Sequence, residues 1–446
     1  MIDQPYVPHV IFGLDPMAVS TAILLAIYGA IIWDKINRSI VALLGASLMI
    51  LSGVLDQAEA VRGIDWNTLG LLAGMMILVS ISRRSGMFQY AAIWSAQRAK
   101  ASPAGILLLL QLTTAGVSAL LDNVTTVLLI APVTLVITSE LDVPPYPFLF
   151  AEAFASNIGG TATLIGDPPN ILIGSLAGLD FNAFLLNVAP VVVVVMAVQA
   201  LIAHLLWGRA MRSTPAHREG VMALRPAAAI LDPVLLKQAT AVLSVVILGF
   251  IFARPLGVAP ATSAIAGAAV LMFLDNWQHH NEKQSANVHK TFGDVEWITI
   301  FFFIGLFVIV HGVEVGGLLG LLGGKLVAWT GGDLANAGYA VLWGSALLSA
   351  VIDNIPVVAT LIPLIKSAAP ALGGPERIEP LWWCLSLGAC LGGNGTLIGA
   401  SANLTVAGLA ERNAIPFRLV TYTAYAFPMT LLSLAICHAY VWWRYF

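Results

Sequence analysis

Charge is what this chain has least of. Of its 446 residues only 10% are Asp, Glu, Lys or Arg, where a soluble domain carries about 25%, and 59% are hydrophobic. A water-facing surface so poor in charge would aggregate, so most of the surface must face lipid. Cysteine is scarce too. Cys384, Cys390 and Cys437 are too few for a disulfide framework and lack metal-ligand spacing. There is no P-loop, no G-x-S-x-G, no H-E-x-x-H and no paired Ser–His or Cys–His motif at membrane depth. ATP hydrolysis by this chain and intramembrane catalysis are therefore not expected, nor is any cofactor. No basic patch points to nucleic acid, and the formal net charge is only −3. The opening M-I-D-Q-P-Y-V-P-H-V has no basic run before its first apolar stretch, so it does not read as a cleaved signal peptide.

What is present is a polar sentence written twice inside apolar segments. Residues 118–132 read S-A-L-L-D-N-V-T-T-V-L-L-I-A-P and 349–363 read S-A-V-I-D-N-I-P-V-V-A-T-L-I-P, so Asp122, Asn123 and Pro132 recur 231 residues later as Asp353, Asn354 and Pro363. Asp65-Trp66, Thr68, Gly74 and Gly86 recur at the same offset as Glu296-Trp297, Thr299, Gly305 and Gly317. Further on, G-G-T-A-T-L-I-G-D-P-P-N (159–170) recurs as G-G-N-G-T-L-I-G-A-S-A-N (392–403), now 233 apart. Duplicated membrane units with polar, Gly/Pro-broken segments in matching places are the signature of a secondary transporter.

A spanning helix needs about 17–25 residues. Candidates fall near 17–33, 39–55, 67–82, 150–178, 184–207, 238–254, 262–275, 297–312, 381–409 and 420–442. The stretches 102–139 and 338–368 are apolar at both ends with Asp-Asn between, and are expected to be re-entrant hairpins. The halves, 1–207 and 238–446, then hold five spans each and insert with opposite orientation, giving an all-α polytopic membrane protein with two hairpins and two broken helices, 150–178 and 381–409. With both termini extracytoplasmic, fifteen Lys and Arg, Arg38 among them, fall on inner loops; six (Arg62, Arg254, Lys325, Lys366, Arg377 and Arg444) fall outside. That bias obeys the positive-inside rule. The expected location is a bacterial inner membrane, with 208–237 as a basic cytoplasmic linker. A polar loop, 276–293, carries His279, His280 and His289, read as solvated rather than metal-binding. His311 and Glu314 are placed at the outer interface rather than in an exit path.

Bare backbone is intolerable in hydrocarbon unless it lines a cavity or is buried in protein. Gly159-Gly160 and Gly392-Gly393 are read as breaks, each dividing an apolar helix in two. Half-helix dipoles, side-chain amides and hydroxyls converge there, met by the hairpin tips from opposite sides. The expected solute ligands are Asp122, Asn123, Thr125, Thr126, Asn157, Thr161, Thr163 and Asn170 from the first half. Asp353, Asn354, Asn394, Thr396 and Asn403 supply the second. A carboxylate at mid-bilayer costs at least about 2.5–3.5 kcal/mol and normally serves a pathway or proton relay. Asp122 and Asp353 are thus expected to couple protons or sodium, while also capping the second hairpin helices. Asp167, whose counterpart is Ala400, is a third coupling candidate weighted toward capping of the restarted helix before Pro168-Pro169.

The string N-I-G-G-T-A-T-L-I-G-D-P-P-N, with L-D-N-V-T-T before it, closely resembles the ion transporter superfamily. Within it the chain looks like the ArsB-type arsenite/antimonite permeases, relatives of the pink-eyed-dilution (P) proteins and NhaD-type antiporters. The resemblance implies a scaffold and a mobile transport domain, often in a homodimer. Sodium-coupled divalent-anion symporters of that superfamily carry Ser-Asn-Thr at their tips. Here Asp122 and Asp353 replace the serine, Thr125 keeps a hydroxyl and Pro356 replaces its counterpart. Two carboxylates would repel a citrate- or succinate-type substrate, whereas neutral arsenous acid suits a cage of Asn, Thr and Asp. The expected function is therefore arsenite/antimonite efflux in exchange for protons. The alternatives are a sodium/proton or other ion antiporter and, less favoured, a dicarboxylate symporter. Cys390 offers trivalent arsenic one thiol, although buried core is its preferred reading. A soluble ATPase partner on the basic linker is left open.

Overall fold

In lipid every backbone N–H and C=O must be satisfied within the protein, which leaves helices as the building unit for a chain without barrel alternation. The computed structural model describes residues 6–33, 35–277 and 279–446, and among them there is no strand. The first half runs α1 (Pro16–Trp33), α2 (Arg38–Leu51), α3 (Gln57–Arg62), α4 (Trp66–Arg83) and α5 (Met87–Arg98). Next come the hairpin arms α6 (Pro103–Ser118) and α7 (Asn123–Glu140), then α8 (Tyr146–Thr161), α9 (Pro168–Ala177), α10 (Phe181–Asn187) and α11 (Ala189–Ala203). A connecting helix α12 (Pro215–Ala223) leads to the second half: α13 (Pro233–Ile251), α14 (Ala253–Leu256), α15 (Pro260–Asn276), α16 (Asn281–Gly293), α17 (Trp297–Val315) and α18 (Leu318–Thr330). It ends with the arms α19 (Leu334–Val351) and α20 (Asn354–Ala368), then α21 (Glu379–Gly392), α22 (Ser401–Arg412) and α23 (Leu419–Tyr445).

Helix starts obey local chemistry. Asn37, Asp65, Asp122, Asp180, Asp232, Asp333 and Asp353 each cap the helix after them through a side-chain oxygen. Pro103, Pro233 and Pro260 open their helices where the missing N–H costs nothing. Among the described residues nine helices are long and apolar enough to cross a membrane, ten if the sharply bent pair α9–α10 counts as one span. Three of the nine, α7, α19 and α20, are hairpin arms.

The duplication is visible in the packing. Helix α2 lies along α17 as α15 lies along α4, and α6 lies along α8 as α19 lies along α21. Matching glycines set these approaches: a Cβ on Gly305 would sit 2.6 Å from the Ala42 carbonyl carbon, and one on Gly74 would sit 2.8 Å from that of Ala264. Helices α1, α2, α4, α13, α15 and α17 pack with one another as one group. The hairpins, α8–α9, α21–α22, α11 and α23 form a second, and the groups meet chiefly where α4 touches α9 and α17 touches α20.

Two expectations shift. The first glycine pair does not itself break its helix, whereas the second stands at the break, α21 ending at Gly392 and a 3-10 turn starting at Gly393. α8 continues through Gly159 and Gly160 to Thr161, and the irregular stretch is 162–167; after α21 a short 3-10 turn leads to 396–400. The glycines also clear space for the returning loop, since a Cβ would lie 2.4 Å from the Gly166 oxygen at Gly160 and 2.7 Å from the Gly399 oxygen at Gly393. Nor is 276–293 a plain loop, for His289 sits on α16.

Candidate functional site

Both hairpin turns are buried. Asn123 and Asn354 are 3% and 4% exposed. They come from opposite halves yet touch one carboxylate: Asn123 Nδ2 donates to Asp167 Oδ1 at 3.3 Å, and Asn354 Nδ2 donates to Asp167 Oδ2 at 3.3 Å. The tips therefore end inside the bundle, as re-entrant hairpins must.

Asp167 takes this position because of the two prolines after it. It occupies the N-cap of α9 in backbone conformation, but its side chain makes no cap bond. Pro168 and Pro169 remove the first two N–H donors of the helix, so the fully buried carboxylate turns toward the tips instead. The sequence reading weighted Asp167 toward capping, and the geometry differs. Asp122 Oδ1 does cap, accepting from Thr125 N at 2.8 Å, and Asp353 Oδ1 accepts from Ile355 N at 3.2 Å.

Behind Asp167 lies a net of amides joining the halves. Asn157 accepts from Asn123 Nδ2 at 2.9 Å and donates to Asn394 Oδ1 at 2.8 Å and Asn403 Oδ1 at 3.0 Å. The remaining candidates hold the broken loops in near-identical pairs. Asn170 Nδ2 donates to the carbonyls of Thr161 and Thr163, and Asn403 Nδ2 to those of Gly393 and Thr396. Thr163 Oγ1 donates to Ala119 O as Thr396 Oγ1 does to Ala350 O. Thr126 and Thr161 donate to carbonyls of their own helices. These groups stiffen the walls; they do not line the cavity. Cys390, fully buried, donates to Asn170 Oδ1 at 3.4 Å and is likewise outside it.

The cavity itself has a volume of about 40 Å³, room for about three waters. Its polar lining is Arg38, Asp122, Asn123, Asp167, Glu296, Thr299, Asn354 and Ser401, and Leu72, Met75, Met76, Ile165 and Ile171 supply apolar wall. Four of these, Arg38, Glu296, Thr299 and Ser401, were missed from sequence. Glu296, at the start of α17, accepts from Thr299 Oγ1 at 2.9 Å. Arg38, expected to be a loop cation, opens α2 and donates to Asp353 Oδ2 at 2.8 Å and Ser401 Oγ at 2.7 Å. Among the described residues Arg38 is the only cation lining the cavity, and it is already paired. Asp122, Asp167 and Glu296 remain as a surplus of carboxyl groups. Such a space favours protons, cations or neutral hydrogen-bonding solutes over free anions.

An inverted, duplicated helical bundle whose buried hairpin tips and interrupted helices enclose a polar cavity is a membrane transporter. The family model described as "Citrate transporter" matches residues 28–388, and the chain belongs to that family. It is 41% identical over 433 residues to an uncharacterized transporter of Mycobacterium tuberculosis, covering 96% of this chain and 98% of that protein. It is 33% identical over 522 residues to the human P protein, covering 96% of this chain and 61% of the relative. The YdaH transporter of Alcanivorax borkumensis is similar in structure, with a TM-score of 0.60 over 96% of this chain and 98% of that one. At 14% identity that likeness shows the fold alone. Kinship with P proteins holds, while the family match is to citrate transporters rather than to the arsenite permeases expected from the motif.

Proposed function

We propose that this chain is a secondary transporter in which proton binding at Asp167 and Asp122 is exchanged for a small neutral polyhydroxyl solute, arsenous or antimonous acid being the leading cargo. The observation that carries this reading is the charge balance of the cavity: three carboxyl groups face it and its single guanidinium is spent on Asp353. A proton entering Asp167 would loosen its bonds to Asn123 and Asn354, freeing both amides for a solute hydroxyl, and deprotonation on the other side would restore them. The cavity volume suits so small a cargo.

A second reading comes from the family's description. A citrate-type substrate would need cation neutralisation against these carboxyl groups, with Arg38 leaving Asp353 to receive it. Sodium/proton exchange uses the same acids with no further solute.

Everted vesicles with an imposed proton gradient separate the three. The expected result is arsenite accumulation that disappears in Asp167→Asn and Asp122→Asn. Citrate accumulation in its place, or sodium-driven proton release without metalloid movement, sinks the arsenite assignment.

A further inference from the structure

We propose that Arg38 is a latch between the two packed groups of helices, and that the lack of any equivalent in the second half makes the captured conformation the resting one. Arg38 belongs to the first group: it opens α2, and its guanidinium lies 5.2 Å from the Phe302 ring centroid on α17. Its partners belong to the second. Asp353 sits at the second hairpin tip and Ser401 opens α22, and Ser401 Oγ also donates to Asp353 Oδ2 at 2.7 Å, closing a three-way contact. The Arg38 and Asp353 side chains are 28% and 10% exposed, so the pair is only partly screened by water. Beside it Tyr28 of α1 donates to Pro356 O at 3.0 Å and meets Thr360 Oγ1 at 2.6 Å. Any displacement of the hairpins relative to α1 and α2 must break these contacts together.

The repeat supplies the second argument. Gly305 lies over Ala42 as Gly74 lies over Ala264, which places α2 in register with α15. Arg38 stands four residues before Ala42, and four residues before Ala264 stands Pro260. Ser401 corresponds at the 233-residue offset to Pro168. Proline offers neither the cation nor the hydroxyl. In the mirror arrangement, with the first hairpin docked against α4 and α15, Asp122 would find no such partners. The two end states of an inverted repeat are equal only if both halves carry the same contacts, and here one carries an ion pair that the other lacks. The Asp122–Asp353 pair, alike in sequence, is thereby divided: Asp353 holds the latch and Asp122 is left to the cavity.

This inference rests on the transport reading only in requiring that the two groups move, and its test uses neither solute nor gradient. The reporter is Asn67 of α4, which donates to Ser175 Oγ of α9 at 2.9 Å across the group boundary and away from Arg38. In the full-length protein in membranes, an Asn67→Cys/Ser175→Cys pair is oxidised to a disulfide; the native cysteines are buried and stay in place. Arg38→Gln is expected to slow cross-linking about 1.7-fold: an ion pair of about 1 kcal/mol favours the captured state about fivefold, and its loss takes the captured share from about 84% to about 50%. Asp353→Asn should match it, and the double variant should be no slower than either single. Should Arg38→Gln not accumulate, Arg38→Lys, which keeps charge with shorter reach, is expected at an intermediate rate. Cross-linking at the parent rate in either Arg38 variant, or singles that multiply in the double, would overturn the latch. Failure of arsenite to move would sink the cargo assignment and leave this result standing.

Discussion

Replacing Asn157 by alanine removes one side chain and three hydrogen bonds, all between 2.8 and 3.0 Å and two of them crossing between the halves. Side-chain hydrogen bonds in membrane proteins average about 0.6 kcal/mol with a ceiling near 1.7, so three give about 2 kcal/mol. The losses are not fully compensated. Asn123 keeps only its long bond to Asp167, and the Oδ1 atoms of Asn394 and Asn403 lose the donor that Asn157 gave them. Reversible unfolding in mixed micelles should therefore show Asn157→Ala destabilised by about 2 kcal/mol. Thr161→Val, which loses one bond to its own helix, is the control and should cost at most about 0.6 kcal/mol. Transport should fall with Asn157→Ala even below its unfolding range, because Asn123 loses the partner that orients it toward Asp167. Stability within about 0.5 kcal/mol of the parent, together with full transport, would refute the idea that this amide organises the site.

Three further outcomes are expected. Asp167→Asn should leave stability within about 1 kcal/mol, since the side chain caps nothing, while abolishing proton-coupled uptake in vesicles; a large stability loss would show it to be structural. Gly305→Val and Gly74→Val should each destabilise by about 1–3 kcal/mol in the same unfolding assay, because α2–α17 and α4–α15 would be pushed apart; two silent substitutions would contradict the close crossings. Gly86→Ala should be worse than Gly317→Ala: both have left-handed φ, 85° and 94°, but at Gly86 a Cβ would also lie 1.8 Å from the Ala229 oxygen. Equal melting of those two variants would argue against the segment before α13 resting on Gly86.

The sequence was most readable where polarity is forbidden. Asp122-Asn123, Asp353-Asn354 and the two Gly-Gly strings stand out from an apolar background, and their common spacing marked the repeat and the candidate site. The helices α5, α16 and α18 were missed because none has the length of a span: polar α16 read as loop, and α18, though apolar, is only 13 residues long. Asp167 and the tip aspartates have the same side chain, so their orientation depended on which of the next residues still had an N–H to give; Pro168-Pro169 held that information unused. Arg38 was hidden for another reason. A cation at the end of a span is what topology rules expect, and with Pro260 in its place in the second half, no repetition marked it out.

The cluster of Asn157, Asn394 and Asn403 sits where the two halves are sewn to each other, so neither copy owns a complete centre. A gene encoding one half alone would yield a protein with unmatched amides at its heart, and fusion of the copies keeps them in equal supply. Even the seam is built from unlike residues: at the 233-residue offset Asn157 corresponds to Cys390 and Asn394 to Thr161, so each copy supplies there what the other lacks.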